Sequence, residues 1–172
     1  MMKSELRKQL LQKRAQMTLV DVNKKSETII KKVRCDIRYQ NAKKVALFYP
    51  MGQEVNLLDL LHDQKTFLFP RVEKDGIHFY PYAHDMTFIR SKFGVMEPSG
   101  INTEDDSIDY MLAPALAISP DLYRIGYGKG YYDQFLSKHR PKTVVGVIYD
   151  FLNKITFDHD EHDQKLDDVI EG

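Results

Sequence analysis

Residues 143–149 read TVVGVIY, a run without a charged side chain. That length suits a strand rather than a buried helix, and a strand so uniformly apolar is covered on both faces. KVALFYP at 44–50 has the same character and stops at Pro50 and Gly52. YMLAPALAI at 110–118 is a third such run, with a break expected at Pro114. Helical segments alternate with these runs. Together they define an α/β layered fold with a mainly parallel sheet.

The helices are read from apolar spacing. SELRKQLLQKRAQM repeats Leu6, Leu10, Ala15 and Met17, with Leu11 widening the stripe and Ser4 expected to cap it. A second helix is expected after Thr18, running to about Tyr39, with Val22, Ile29, Ile30, Val33 and Ile37 inward. Asn56 should cap a short helix in NLLDLLHDQ, and YYDQFLSKH should be another. TFLFPRV at 66–72 and IHFYPYA at 77–83 read as strands joined by a hairpin-type turn at Asp75-Gly76. INTEDDSID reads as an acidic surface loop, and the polar tail has room for a short strand at Ile155–Phe157. No repeat or low-complexity linker interrupts the 172 residues, so one domain over 1–172 is expected.

Twenty-five basic residues balance 25 acidic ones, which argues against nucleic-acid or membrane-surface partners. The single cysteine, Cys35, has no internal partner and fits a reducing compartment. The first 20 residues are charged throughout, unlike a signal peptide. No run reaches the roughly 20 apolar residues of a membrane span. A cytoplasmic protein is expected.

Chemistry concentrates in RIGYGKGYYD at 124–133. Gly126, Gly128 and Gly130 let backbone N–H groups approach an anion without a Cβ in the way. The following helix adds the partial positive charge of its N-terminus. Lys129 can set an ammonium beside a phosphate, Arg124 can bind one bidentately, and Asp133 could hold Mg²⁺. A plain glycine-rich turn is the bland alternative. The segment is not a Walker loop. A dinucleotide site built on Gly126, Gly128 and Asp150 is the rival, making the chain an NAD(P)-binding oxidoreductase. Tyr131 stands where that fingerprint needs its third glycine, and SPDLYRI separates the glycines from the strand.

RIGYGKGYYD resembles the signature of the 5-formyltetrahydrofolate cyclo-ligase (methenyltetrahydrofolate synthetase) family. The resemblance runs along nearly the whole chain: KSELR, FYPMGQEV, FPR, FGVMEP, DYMLAPALAI and HDQKLDDVI match further landmarks in order. It implies a three-layer α/β sandwich like that of the sugar-phosphate isomerase and CoA-transferase group. It also implies an ATP- and Mg²⁺-dependent ligase cyclising 5-formyltetrahydrofolate to 5,10-methenyltetrahydrofolate, with small-molecule partners only and a monomeric chain.

Carried over by residue, Lys3 and Arg7 would bind ATP beside Arg124, Ile125, Gly126, Tyr127, Gly128, Lys129, Gly130, Tyr131 and Tyr132. Arg124 and Lys129 would serve the phosphoryl transfer, and Asp133 and Asp167 would hold Mg²⁺. Tyr49 and Glu54 would meet the folate, with Tyr131 or Tyr132 stacking on a ring or packing in the core. HDEHD at 159–163 reads as a solvated loop rather than a transition-metal site. A folate-binding protein without turnover is the third reading.

Overall fold

The computed structural model describes residues 2–92, 94–99 and 103–172. Met1, Phe93 of FGVMEP, Gly100, and Ile101 and Asn102 of the acidic loop lie outside the described residues.

Helix α1 spans Lys3–Ala15. It begins one residue ahead of Ser4, with Met2 at the N-cap and no side-chain cap, so Ser4 lies inside the first turn instead of capping it. Helix α2 spans Leu19–Cys35. Thr18 caps it by a reciprocal pair: its hydroxyl accepts the Asp21 N–H, and the Asp21 carboxylate accepts the Thr18 N–H, both at 3.1 Å. Asp36 then breaks the expected long helix and caps a separate α3, Ile37–Asn41, by accepting the Arg38 N–H at 3.0 Å. The break turns Ile37 outward, 61% exposed, rather than into the apolar stripe.

The strands follow as β1 (Lys44–Ala46), β2 (Thr66–Glu73), β3 (Gly76–Pro81), β4 (Phe88–Arg90), β5 (Met96–Pro98), β6 (Tyr110–Ala113), β7 (Ala117–Ile118) and β8 (Arg124–Ile125). Helix α4 (Tyr131–Lys138), β9 (Thr143–Ile148) and β10 (Asp168–Glu171) complete the chain. Between β1 and β2 a 3-10 turn, Leu58–His62, starts where the Asn56 side chain accepts the Leu58 N–H. The break at Pro114 falls between β6 and β7, as expected. The predicted Ile155–Phe157 strand does not form; DVIE forms β10 instead, and Asp168 pairs with Arg38 at 2.8 Å. Two acids and four half-buried positions leave β10 little of the apolar signature of the inner strands.

The main sheet runs β10-β9-β6-β1-β2-β3, and only the β2–β3 edge is antiparallel. Pairs β4–β5 and β7–β8 are separate two-stranded ribbons. Strand alternation gives the sheet two faces. One carries Phe79, whose ring meets Phe135 of α4 at 4.8 Å. The other carries Tyr110, whose ring meets Tyr39 of α3 at 5.6 Å. Helices therefore cover both faces; β6 is buried from end to end, and β9 is buried after its first residue. Val144, Val145, Val147 and Ile148 are at most 1% exposed. Each contributes about 1.5–3 kcal/mol by leaving water.

Candidate active site

The order of the sheet sets the position of the site. From β1 the chain builds outward to β2 and β3, then returns to the other side of β1 as β6, β9 and β10. The reversal lies between β1 and β6, and ligands in such sheets gather beyond the carboxyl ends of the strands at that point. A cleft of about 830 Å³ opens there, lined by Tyr49 and Glu54 after β1, Pro114 after β6, the glycine segment, and residues 160–164.

Helix α1 forms one wall. Lys3, Arg7, Leu10 and Arg14 recur at helical spacing and share its inner face. Lys3 Nζ lies 2.8 Å from Asp163 Oδ2. Arg7 Nε donates to the Gly126 carbonyl at 2.9 Å, and Arg14 Nη2 donates to the Tyr127 hydroxyl at 2.8 Å. This helix looks solvated in the sequence because its working face is itself cationic.

The glycine segment takes its shape from backbone freedom. Gly128 has φ 97°, and Gly130 has φ 70° at the N-cap of α4, both left-handed and costly for a residue with a side chain. No side chain caps α4, and its N-terminal residues Gly130, Tyr131, Tyr132 and Asp133 line the cleft. Arg124 Nε donates to the Pro114 carbonyl at 2.8 Å, and the guanidinium lies 5.0 Å over the Tyr132 ring. Lys129 is exposed on the cleft rim. Tyr131 and Tyr132 both line the cleft, but Tyr132 also packs edge-on against Phe79 at 6.4 Å.

Two carboxylates adjoin the cationic side. Asp133 Oδ1 accepts the Gln164 N–H at 3.0 Å. Burial pushes its carboxyl above the ordinary range, and Asp163 adds to that push. Asp163 is also pushed up by burial, but the Lys3 ammonium and the Asp160 N–H outweigh it, leaving its carboxyl below the usual range. Asp167 is not brought here. It precedes β10 at the amino ends of the strands, where its carboxylate accepts from Val144 N–H at 2.8 Å and Arg140 at 3.0 Å. The HDQKLDD segment holds both aspartates, and the turn at its start delivers Asp163 to the cleft instead.

On the opposite side Glu54 is only 6% exposed, with Oε1 accepting the Met51 N–H at 2.8 Å. Burial raises its carboxyl, while the Met51 bond, Arg14 and Tyr127 pull it back. The Tyr49 ring packs 5.1 Å from Phe88. Glu97, which sequence reasoning did not single out, lines the cleft and accepts the Val72 N–H at 2.8 Å. Arg14 was missed too; its seven-residue spacing from Arg7, two helical turns, was the available signal.

Two other groups lie apart. His159 of HDEHD stacks on Tyr123 at 3.6 Å rather than joining a ligand set. His78 Nδ1 is 2.8 Å from Asp106 and 3.1 Å from Glu104, and Nε2 is 2.8 Å from Asp75. Both ring nitrogens already face carboxylates, so this group reads as a clamp on the β3 hairpin. Asp150, which the dinucleotide reading requires, lies outside the cleft and pairs with Lys25 at 2.8 Å.

A cationic loop and helix facing a buried carboxylate, at the switch point of a parallel sheet, define an α/β enzyme that brings a phosphorylated ligand to a polar organic one. The model of the 5-formyltetrahydrofolate cyclo-ligase family matches residues 1–172, and the chain belongs to that family. A 5-formyltetrahydrofolate cyclo-ligase from Mycoplasma pneumoniae is 30% identical, covering 98% of this chain and 97% of its own. The solved structure of 5,10-methenyltetrahydrofolate synthetase from Aquifex aeolicus superposes with a TM-score of 0.86 at 32% identity, over 99% of this chain and 90% of that one. The M. pneumoniae synthetase structure gives 0.79 at 30% identity, over 99% and 98%.

Proposed function

We propose that this cleft cyclises 5-formyltetrahydrofolate to 5,10-methenyltetrahydrofolate at the expense of ATP, releasing ADP and phosphate. The observation that carries the reading is the convergence of Lys3 and Arg7 from α1 on the glycine segment, across one cleft from the buried Glu54.

The formyl oxygen is a poor leaving group as it stands. It attacks the γ-phosphorus of ATP, the bond to the β-phosphate oxygen breaks, and an iminium phosphate and ADP result. N10 of the folate then attacks the formyl carbon and loses its proton. The carbon–oxygen bond breaks, and phosphate departs with the former formyl oxygen. Such a transfer needs in-line positioning and charge neutralisation more than covalent help. Lys129 and Arg124 supply positive charge beside the phosphates, with Arg7 and the free N–H groups of α4. Lys3 is held by Asp163 until nucleotide arrives.

Asp133 and Asp163 fit a magnesium ion: both are hard carboxylate donors on the cationic side, and burial with mutual repulsion favours a cation between them. When bound, the ion would neutralise and orient phosphate oxygens. Glu54, fixed by the Met51 N–H, accepts from the pterin's amino and ring N–H groups, with Tyr49 and Tyr131 along the ring faces.

The pairing of Asp150 with Lys25 outside the cleft removes the main support for a dinucleotide site. Among the described residues no helix is long and apolar enough to cross a membrane. One chain supplies every residue named here, and we take the working unit to be a monomer acting on small molecules.

Purified protein mixed with 5-formyltetrahydrofolate, ATP and Mg²⁺ tests the reading. An ATP-dependent rise in the near-ultraviolet absorption of the methenyl product is expected. Folate binding without that rise would make the chain a carrier.

A further inference from the structure

Among the described residues, Arg14 and Glu54 are the two buried charged side chains, each 6% exposed. Both line one small cavity, and Glu54 also lines the cleft together with Tyr127 of the glycine segment. Arg14 Nη2 donates to the Tyr127 hydroxyl at 2.8 Å, and both groups draw the Glu54 carboxyl down against the effect of its burial. A phenol that accepts from a guanidinium still has its own O–H to offer a carboxylate, so Tyr127 can serve both charged groups. Buried charges left without such bonds are costly, and the arrangement persists only with every member present.

Tyr127 is also the centre of the glycine segment. Gly126 before it is held by Arg7, and Gly128 after it takes the left-handed turn. The hydroxyl end of the side chain is enclosed, while 39% of the residue remains exposed.

We propose that Tyr127 is a positioning residue that fixes the Glu54 carboxylate and the phosphate-binding loop as one unit, with Arg14 holding the joint. The inference rests on the reading of Glu54 as a folate contact and of the glycine segment as the nucleotide cradle. Folate seated on Glu54 then steadies the loop through a single side chain. By reciprocity, nucleotide on the loop steadies Glu54.

The charged and titratable groups facing Glu54 are Arg14 and Arg124 and the hydroxyls of Tyr127, Tyr132 and Tyr149. Of these hydroxyls, that of Tyr127 is the one that lowers the Glu54 carboxyl. Its removal lets burial raise the carboxyl further.

The test measures affinities for 5-formyltetrahydrofolate and for a non-hydrolysable ATP analogue, with melting temperature, in wild type, Tyr127→Phe, Arg14→Met, Arg14→Lys and Glu54→Gln. Tyr127→Phe should weaken both ligands by about tenfold, the loss of one hydrogen bond to a charged group. It should also move the acid limb of kcat/KM for folate to higher pH. Arg14→Met should act alike, with part of the loss recovered in Arg14→Lys. A lower melting temperature with both affinities intact would mean a purely structural tyrosine and overturn the proposal. Weakened folate with unchanged nucleotide binding would overturn the joint. If Glu54→Gln leaves folate affinity intact, the reading of Glu54 falls and takes this inference with it. If Glu54→Gln weakens folate but Tyr127→Phe does not, the inference alone falls.

Discussion

Lys3 Nζ and Asp163 Oδ2 lie 2.8 Å apart although 160 positions separate them in the chain. The first helix and the closing segment thus meet over the cleft, and neither end of the chain is a passive tail. Asp163 also stands beside Asp133, so the pair serves both nucleotide and magnesium in the proposed reaction.

Asp133→Asn and Asp163→Asn should each raise the Mg²⁺ concentration needed for half-maximal rate, by about tenfold or more. Asp167→Asn should leave that requirement alone and lower the melting temperature, because its carboxylate holds the Val144 N–H at the far end of the sheet. Magnesium titrations of initial rate on the three variants decide between the two aspartates.

Lys129→Ala should lower kcat on the order of 10²- to 10³-fold, as removal of one preorganised charge-stabilising group does. Folate affinity should barely change, since the ammonium matters most as phosphate charge shifts. Single-turnover rates beside equilibrium folate binding check it. Equal losses in both would place Lys129 in ground-state binding.

Gly146→Ala should destabilise the fold without touching the chemistry. A Cβ there would meet Ile118 Cδ1 at 2.6 Å and Leu166 Cδ1 at 2.7 Å, both buried beneath β9. Overpacking of this kind costs about 1–3 kcal/mol. Denaturant unfolding should show the loss, with kcat of the folded fraction unchanged.

His78 supplies a pH-dependent term. Its bond to Asp106, with Asp75 and Glu104 adding to it against the effect of burial, pushes the imidazole up from 6.5 to about 9. A raised folded-state value means stability fully present below about 6.5 and lost as pH rises through about 9. The melting temperature of wild type should exceed that of His78→Gln at pH 6, and the gap should close by about pH 9 to 10. A gap that stays constant would show that protonation contributes nothing.

The inner strands and the glycine segment were legible because each carries a local signal: unbroken apolar runs in TVVGVI, and glycines flanked by Arg124 and Lys129. Thr18 acts as a cap because capping is local chemistry, whereas Asn56, expected to cap, stands one residue ahead of the Leu57 N-cap and accepts the Leu58 N–H. Strand β10 was not legible, since Asp168 and Glu171 disguise a short edge strand whose stability comes from pairing with β9. The break at Asp36 was hidden because it is supported by Arg38, which pairs with Asp36 and with Asp168, distant in sequence, as well as by a cap. Arg14 and Asp163 escaped for the same reason: a charged residue on a charged helix or tail looks solvated until the fold brings its partner. The place of Lys3 and Arg7 at the cleft was visible only through resemblance to a family.

The most direct test of the central claim follows one oxygen atom. The protein is incubated with ATP, Mg²⁺ and 5-formyltetrahydrofolate carrying ¹⁸O in the formyl group, and the released phosphate is analysed by mass. Transfer of the γ-phosphoryl group to the formyl oxygen predicts one ¹⁸O in the phosphate for each methenyl product formed. Methenyl product with unlabelled phosphate, the heavy oxygen appearing in water, would contradict the account.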